Sequence, residues 1–432
     1  MNGSRALLTD HYELTMVQAA LASGAAHRRS VFEVFARRLP DGRRYGVLAG
    51  TGRLLDALVD FRFGDAELAA LSQHAVVDRA TIDWLADYRF GGTITGYGEG
   101  EVYFPGSPVL VVEASFAEGV LLETLALSIL NHDSAIAAAA SRMTAASDGR
   151  PCIEMGSRRT HEEAAVAAAR AAYIAGFTAT SNLAAGQRYG VPTTGTAAHA
   201  FTLLYDTERA AFQAQVSSFG AGTTLLVDTY DIAEGVRTAV EVAGRELGAV
   251  RIDSGDLLAN ARAVREQLDR LGAHATRIVV TSDLDEFAIS TLASAPVDSY
   301  GVGTSLVTGS GAATAGMVYK LVAREDEQGV LLGVAKKSKD KASIAGRKYA
   351  VRRLGADGRA EAEVIGLGAQ PALRGQDRAL MVEMVIDGER VNHDDERTAR
   401  ARHHSSRAQL PASAAQLSRG EPVIPTVYEQ VR

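Results

Sequence analysis

The stretch AVRIDSGDLLANARAVREQL (residues 249–268) joins a short apolar run to a helix-like segment through a polar turn. A second apolar run, RIVVTSDLD (277–285), follows that helix and again ends in polar residues. A strand, a helix and another strand in this order are typical of parallel β/α units. The stretch therefore predicts a parallel sheet whose strands end in polar side chains.

Seven runs of this kind lie between residues 152 and 305. Each is short and apolar, ends in polar residues or glycine, and precedes a helix-like segment. They are CIEMGSRR (152–159), FTATSN (177–182), VPTTGTAAH (191–199), TLLVDTYD (224–231), AVRIDSGD (249–256), RIVVTSDLD (277–285) and DSYGVGTS (298–305). Seven alternating units predict an α/β fold with a barrel or an irregular barrel-like sheet.

The two ends of the chain have a different pattern of predicted secondary structure. TDHYELTMVQAALASG (9–24) predicts a helix, EVYFPGSPVLVVEA (101–114) predicts strands, and RKYAVRRLGADGRAEAEVIG (347–366) has the Asp-Gly signal of a hairpin. ALMVEMVIDGERV (379–391) predicts a second hairpin. We therefore expect three regions, namely an N-terminal α+β region (1–120), a barrel-like catalytic domain (121–344) and a C-terminal region (345–432).

Charge and composition narrow the class of protein. The chain has 432 residues, a hydrophobic fraction of 47% and a net charge of −7, which are ordinary values for a globular protein with two or three domains. No long basic run interleaves with aromatic residues, so nucleic acid is not an expected partner. The short basic run KKSKDK (336–341) is interpreted as a solvated loop or strand edge.

Cysteine usage and hydropathy bear on the compartment. Cys152 is the single cysteine of the sequence, so neither an internal disulfide nor a cysteine-based zinc cluster can form. The apolar stretch 119–140 carries Glu123, Asn131 and Asp133, which favours a buried helix over a membrane span. A reducing cytoplasm and no membrane partner are the simplest expectations.

The polar residues that end the seven runs should share one rim of the sheet. In β/α barrels this rim carries the active site, and glycines beside helix starts there form anion sites. The rim residues are Arg158, Arg159, Asn182, Thr196, His199, Asp228, Arg251, Asp253, Asp256, Asp283 and Thr304. The sequence therefore predicts an enzyme whose substrate carries phosphate.

RIDSGD (251–256) is the richest of these turns. The guanidinium of Arg251 can make two bonds to one carboxylate or phosphate. Asp253 and Asp256 can hold Mg²⁺, directly or through water, or bind ribose hydroxyls. The alternative is that Ser254 or Asp256 only caps the helix that follows.

Three weaker motifs lie on the same rim. GVGTS (301–305) can cradle phosphate with backbone N–H groups and the Thr304 hydroxyl, or it is an ordinary glycine turn. GSRRTH (156–161) places two arginines before a helix, although surface arginines are common. His199 follows a run of small residues that leave space around it, although a lone histidine is more often structural.

Several long motifs resemble nicotinate phosphoribosyltransferases from about residue 6 to about residue 350. The motifs are LLTDHYELTMVQAAL, LNHDSAIAAAASR, GSRRTHEEAAVAAARAAYIAGFTATSNLAAGQRYGVPTTGTAAHAF, RIDSGDL, VTSDLDEFAI and YGVGTSLVTGSG. This family joins nicotinate to 5-phosphoribosyl 1-pyrophosphate, giving nicotinate mononucleotide and pyrophosphate, with coupled ATP hydrolysis. The resemblance implies an irregular α/β barrel with a second α+β domain built from both chain ends, and a homodimer with shared active sites.

The resemblance also implies a role for individual residues. His199 would be phosphorylated by ATP, and Thr196 would contact nicotinate. Tyr12 would stack on the pyridine ring, Arg251 would lie near nicotinate and the phosphoribosyl group, and Thr304 would bind the sugar phosphate. The family's chemistry implies Mg²⁺, cytoplasmic NAD biosynthesis by salvage of nicotinate, and small-molecule partners only.

Rim and resemblance together define the candidate site. The candidate catalytic residues are His199, Arg251 and Asp253. The candidate substrate-binding residues are Tyr12, Thr196, Arg158, Arg251, Ser254, Asp283, Gly303 and Thr304. The candidate magnesium ligands are Asp253 and Asp256.

Two features depart from the family pattern. Met155 stands where many relatives have an aromatic residue, and a methionine can still pack on a ring. The cysteine cluster that holds zinc in some relatives is missing, so zinc is not expected.

Other functions fit the same fold. A transferase that uses nicotinamide or quinolinate has the same chemistry, but quinolinate enzymes are shorter and do not couple ATP. A phosphosugar aldolase or isomerase would need a lysine or a carboxylate base on the rim, and the rim motifs contain no lysine. A silent binding protein is disfavoured because His199, Arg251 and Asp253 are all present.

Overall fold

A computed structural model of the chain describes residues 4–336 and 343–430. The described residues form two compact units. The first combines Met1–Ala138 with Thr314–Arg432, and the second is Ala139–Ala313. All of the predicted run KKSKDK except Lys336 lies outside the described residues.

Helices and strands alternate along most of the chain. The α-helices are α1 His11–Ser23, α2 Thr51–Val59, α3 Asp65–Gln73, α4 Arg79–Ala86, α5 Phe116–Val120, α6 Glu123–Ala146, α7 Glu162–Ile174, α8 Leu183–Tyr189, α9 His199–Leu203, α10 Glu208–Phe219, α11 Ile232–Ala243, α12 Leu257–Arg270, α13 Glu286–Leu292, α14 Thr304–Val307 and α15 Glu396–Ala408. The strands are β1 Arg29–Ala36, β2 Gly46–Val47, β3 Thr93–Tyr97, β4 Val102–Tyr103, β5 Leu110–Ser115, β6 Cys152–Glu154, β7 Ala179–Thr180, β8 Thr224–Leu226, β9 Ala249–Ile252, β10 Arg277–Val280, β11 Ser299–Val302, β12 Met317–Glu325, β13 Leu331–Gly333, β14 Lys348–Leu354, β15 Ala360–Leu367, β16 Arg378–Ala379, β17 Met381–Ile386, β18 Glu389–Arg390 and β19 Thr426–Gln430.

The first unit is built on a seven-stranded sheet in the order β13-β12-β1-β5-β3-β17-β18. Strand β1 lies between β12 and β5 and is antiparallel to both. The predicted helix at residues 9–24 is confirmed as α1. The side chain of Asp10 accepts the backbone N–H of His11 at its start, and Gly24 ends it with a φ of 75°.

Both predicted C-terminal hairpins are present in this unit. β14 and β15 pair antiparallel, as do β17 and β18. The turn between β17 and β18 is Asp387-Gly388, with positive φ at both residues, which is the backbone that an Asp-Gly hairpin turn requires. A buried ion pair between Arg352 of β14 and Glu363 of β15 stiffens the first hairpin.

The second unit contains a six-stranded parallel sheet in the order β7-β6-β11-β10-β9-β8. Its parallel strands alternate with helices along the chain, so the predicted α/β barrel-like class is confirmed. Six of the seven predicted runs are strands. The run at 191–199 forms a single bridge between Thr193 and Thr180, because Pro192 has no N–H with which to extend the ladder.

The units do not follow the predicted region boundaries at 120/121 and 344/345. The boundaries lie at 138/139 and 313/314, the first of them within α6. Strand β12, which the prediction assigned to the barrel, pairs with β1 over seven registered positions and so belongs to the first unit. Strand pairing decides the division here, and the sequence alone does not reveal pairing partners.

Among the described residues, the segment Phe116–Ala146 is long and apolar enough to cross a membrane. Within its most apolar window, 67% of the residues are buried inside the protein. That burial is expected of a core helix, as the sequence predicted for residues 119–140.

Helix α11 packs closely on the end of strand β8. A Cβ atom added at Gly235 would lie 2.4 Å from the carbonyl oxygen of Val227. Gly235→Ala gains about 1 kcal/mol of helix propensity, but the clash is with backbone that cannot move aside. Overpacking of this kind costs about 1–3 kcal/mol, so we expect a lower free energy of unfolding in urea.

The control for this substitution is Gly222→Ala in the same unit. A Cβ at Gly222 has no neighbour within 4 Å among the described residues, and its φ is not positive. This variant should unfold at the wild-type urea concentration. A Gly235→Ala protein as stable as the control would show that α11 is not held against β8 by close packing.

Candidate active site

A cavity of about 420 Å³ opens in the second unit, where the carboxyl ends of the parallel strands meet. Its volume suits a small ligand. The predicted site residues that line it are Arg158, Thr196, Arg251, Asp253, Asp283, Gly303 and Thr304. The turns after β6, β9, β10 and β11 and the loop 195–198 supply these residues, so the sheet brings together side chains far apart in the sequence.

Arg251 is held from three directions. It donates from Nη1 to the Thr196 hydroxyl and to the carbonyl oxygen of Ala197, the latter at 3.1 Å. Its Nη2 lies 3.8 Å from Oδ2 of Asp253. Burial lowers the pKa of Arg251, while the carboxylates of Asp253 and Asp228 act in the opposite direction. The guanidinium remains a cation, since arginine is not deprotonated in proteins.

Asp228 is a buried carboxylate that joins two strand ends. It follows β8, and its Oδ2 accepts the backbone N–H of Asp253 at 2.8 Å and the Ser254 hydroxyl at 2.7 Å. Its Oδ1 is buried and has no hydrogen-bond partner among the described residues. Asp253 also accepts the hydroxyl of Thr281 on its Oδ1. The turn after β9 is thus fixed from both neighbouring strands.

His199 is the first residue of α9. Its Nδ1 lies 3.1 Å from the Thr229 hydroxyl oxygen. Its Nε2 lies 3.8 Å from Oδ2 of Asp253 and 4.0 Å from the unpartnered Oδ1 of Asp228. The side chain is 40% exposed, and Gly195 in the same loop has no neighbour within 4 Å of a virtual Cβ among the described residues. The imidazole is anchored on one side and open on the other.

Arg158 and Arg159 lie on the 3₁₀ turn Ser157–Arg159, directly after β6. Both are exposed and line the cavity. In the part of the chain that the structure describes, neither guanidinium has a protein hydrogen-bond or ion-pair partner. Together with Arg251 they give the cavity three cationic groups of the kind that binds phosphate by paired hydrogen bonds.

Four predicted site residues do not line the cavity, and one of them is His199, which follows the lining residue Ala198. Asp256 caps α12 by accepting the backbone N–H of Ala259 at 3.1 Å, which is the capping role that the sequence left open. Ser254 is exposed and donates to Asp228. Tyr12 lies on α1 of the first unit and is 45% exposed. Burial and the carboxylates of Glu123 and Glu13 raise the pKa of its phenol.

Sequence reasoning missed several hydroxyl side chains of the cavity wall. Ser157, Ser181, Thr281 and Ser282 all line it. A signal was present, because the chain repeats Thr-Ser followed by Asn or Asp at 180–182 and 281–283. Ser282 has a φ of 123°, a strained conformation of the kind that persists at functional sites.

Protein side chains alone do not form a metal site in the described ranges. No group of three or more His, Cys, Asp or Glu side chains there is arranged to hold an ion. Mg²⁺ is commonly held by one or two carboxylates together with substrate phosphates. Asp253 and Asp283 are carboxylates that line the cavity, whereas Asp256 caps α12.

Comparison with known proteins agrees with this geometry. The nicotinate phosphoribosyltransferase N-terminal domain matches residues 7–131. The chain is 60% identical to nicotinate phosphoribosyltransferase pncB1 of Mycobacterium tuberculosis, covering 97% of this chain and 94% of that protein. It is 30% identical to the human nicotinate phosphoribosyltransferase, covering 85% and 80%. The crystal structure of the human nicotinic acid phosphoribosyltransferase superposes with a TM-score of 0.82 at 25% identity, covering 97% of each chain. A chain with this identity, coverage and site belongs to the nicotinate phosphoribosyltransferase family of enzymes.

Proposed function

We propose that this enzyme transfers the phosphoribosyl group of 5-phosphoribosyl 1-pyrophosphate to nicotinate, releasing pyrophosphate and giving nicotinate mononucleotide. One observation carries the proposal. A single cavity combines the Arg251–Thr196 pair, the Asp253 carboxylate, and Arg158 and Arg159, which have no protein partner in the described part of the chain. Such a cavity offers donors to a diphosphate and to a ring carboxylate at the same time.

The reaction forms a bond between the pyridine nitrogen and C1 of the ribose and breaks the bond from C1 to the pyrophosphate oxygen. Positive charge grows on the ribose while negative charge grows on the leaving group. The two exposed arginines at 158 and 159 would stabilise the leaving pyrophosphate. Arg251 and Thr196 would orient nicotinate so that its nitrogen faces C1, which supplies proximity.

Mg²⁺ would lie with the diphosphate, held by Asp253 and Asp283 together with substrate oxygens. It would neutralise charge on the diphosphate when bound. Asp253 is fixed for this purpose by the hydroxyl of Thr281 and by its own N–H bond to Asp228. The Thr304 hydroxyl and the backbone of Gly303 would bind the phosphate of the sugar.

ATP coupling would proceed through His199. The carboxylates of Asp228 and Asp253 face Nε2 and favour the tautomer that carries its proton there. The Nδ1 lone pair would attack the γ-phosphorus of ATP, so that an N–P bond forms, the P–O bond to ADP breaks, and ADP leaves. The ring proton stays on Nε2, where the two carboxylates stabilise the positive charge. Later hydrolysis of the phosphohistidine returns the free imidazole.

The active unit would be a homodimer in the cytoplasm that salvages nicotinate for NAD synthesis. Helix α9, which begins at His199, ends in a strongly exposed pair, with Leu203 as its last residue at 61% and Leu204 directly after it at 75%. Apolar side chains this exposed beside a reactive histidine fit burial by a second copy of the chain. Tyr12 of that copy would supply the ring that stacks on nicotinate.

His199→Ala should abolish phosphoenzyme formation because it removes the acceptor nitrogen. After incubation with γ-labelled ATP, acid-labile protein-bound phosphate should fall to background, while thermal unfolding stays unchanged. His274→Ala is the control, because His274 is an exposed histidine of the same unit whose side chain is 73% exposed. Wild-type labelling of the His199 variant would refute the phosphohistidine.

Nicotinate should be preferred over nicotinamide by about 100-fold or more in kcat/KM. A charge-assisted bond to Arg251 is lost with the amide, and leaving a buried donor unpaired costs about 1–3 kcal/mol. Two such losses correspond to about two factors of ten. Steady-state kinetics at neutral pH with each substrate measures the ratio. Comparable kcat/KM values for nicotinate and nicotinamide would mean that the arginines of the cavity bind only phosphate groups.

Mixed dimers test whether Tyr12 serves the partner's site. Tyr12→Ala and His199→Ala homodimers should each be nearly inactive. A heterodimer of the two, purified with two affinity tags, should regain one complete site and about half of the wild-type activity per dimer. Verified heterodimers without recovery would place Tyr12 and His199 of the same chain in one site.

A further inference from the structure

We propose that Glu154 is a positioning residue, one buried carboxylate that holds the arginine turn 156–159 and the turn 180–182 in the geometry needed to bind a diphosphate. The proposal rests on the proposed function for the identity of the anion. Glu154 ends β6 and is fully buried, so it does not touch the cavity itself. Sequence reasoning singled out its neighbours but not this residue.

Each carboxylate oxygen of Glu154 accepts a different donor. Oε1 accepts the backbone N–H of Gly156, the residue that begins the turn carrying Arg158 and Arg159. Oε2 accepts the hydroxyl of Thr180 at the end of β7. The Glu154 side chain thereby joins the end of β6 to the end of the adjacent strand β7.

The Thr180 hydroxyl connects Glu154 to the turn 180–182. Its oxygen also accepts the backbone N–H of Asn182 at 2.9 Å, so its single proton is committed to Glu154. The side-chain amide of Asn182 donates to the Ser157 hydroxyl at 3.0 Å, which returns to the arginine turn. The backbone oxygen of Thr180 accepts the N–H of Thr194, in the loop that leads to Thr196. Both cavity loops therefore depend on the position of Thr180.

Gly156 has little freedom to move. A Cβ atom there would lie 2.3 Å from Cγ1 of Val307 and 3.0 Å from the carbonyl oxygen of Gly303. The same Cβ would lie 3.1 Å from Oε1 of Glu154, which accepts the Gly156 N–H, so the space beside this residue is already filled. The turn that carries Arg158 and Arg159 therefore starts at a fixed position. Their exposed side chains have no protein partner of their own among the described residues.

The two hydrogen bonds favour an ionised carboxylate, because the Gly156 N–H and the Thr180 hydroxyl both donate to residue 154. Burial raises the pKa of Glu154, and the Thr180 and Gly156 donors act against that rise. A glutamine of the same size can still accept from Gly156, but its NH₂ group then faces the Thr180 hydroxyl, so the bond to Thr180 is kept only with its direction reversed.

The test compares Glu154→Gln with Glu162→Gln, the same substitution at a carboxylate of the same unit that is 84% exposed. Three quantities are measured on the full-length enzyme. These are the KM and kcat for 5-phosphoribosyl 1-pyrophosphate at saturating nicotinate, and the Kd of inorganic pyrophosphate by titration calorimetry. We expect Glu154→Gln to raise KM and Kd at least 10-fold while kcat changes less than threefold, and Glu162→Gln to match wild type.

A merely structural role would give a different pattern. Loss of folded protein lowers kcat and the number of calorimetric sites but leaves KM and Kd unchanged, and that result would overturn the proposal. If Glu154→Gln does not fold, Thr180→Val carries the test, because it deletes the hydroxyl without burying a new donor. It should raise the same KM and Kd, and unchanged values would again overturn the proposal.

The pyrophosphate titration separates this inference from the proposed function. If the wild-type enzyme bound pyrophosphate but did not convert nicotinate, the proposed reaction would fail while the Kd comparison still tested Glu154. If the wild-type enzyme bound no pyrophosphate, the role of Glu154 in anion binding would be refuted directly.

Discussion

The bond from the Asp253 backbone N–H to the Asp228 carboxylate is the constraint on which the site depends. It joins the ends of β8 and β9 just beyond the point where the parallel ladder stops. The same carboxylate accepts Ser254, and its free oxygen faces His199. A shift of Asp228 would therefore move Asp253, its link to Arg251 and the environment of the imidazole together. Helix α11 adds to this, because Gly235 lets it approach Val227, the neighbour of Asp228.

The residues in and around the candidate site differ in burial. Glu154 and Asp228 are buried carboxylates that hold backbone and hydroxyl donors. Arg251 and Asp253 come next, partly buried, and Arg158 stands exposed at the cavity. The buried carboxylates of Glu154 and Asp228 accept hydrogen bonds from neutral N–H and hydroxyl groups. The guanidinium groups of Arg158 and Arg159 are therefore not needed to satisfy them. A protein that paired every arginine internally would bind a diphosphate poorly, because each new bond would first require breaking an old one.

Periodicity predicted the barrel-like sheet, since alternating apolar runs and helices have few other packings. It also placed Arg251, Asp253, Asp283 and Thr304 on one rim, because strand ends of a parallel sheet meet at one edge. Two errors have physical causes. Pro192 reduced a predicted strand to one bridge, and strand β12 joined the first unit through pairing that sequence separation conceals. Glu154 was missed because a buried carboxylate at a strand end looks in sequence like an ordinary polar residue, and only its two donors reveal its role.

Several polar groups at the candidate site are left unsatisfied or strained, which lowers the stability of the folded protein. Nε of Arg251 and Oδ1 of Asp228 are buried without partners among the described residues, and Ser282 has a positive φ. An unsatisfied buried polar group costs about 1–3 kcal/mol, and a strained backbone residue costs a similar amount. Arg251 and Ser282 line the cavity, and Oδ1 of Asp228 lies 4.0 Å from Nε2 of His199. The unpaired Nε–H of Arg251 is a donor, so an anionic ligand that reached it would recover part of this cost.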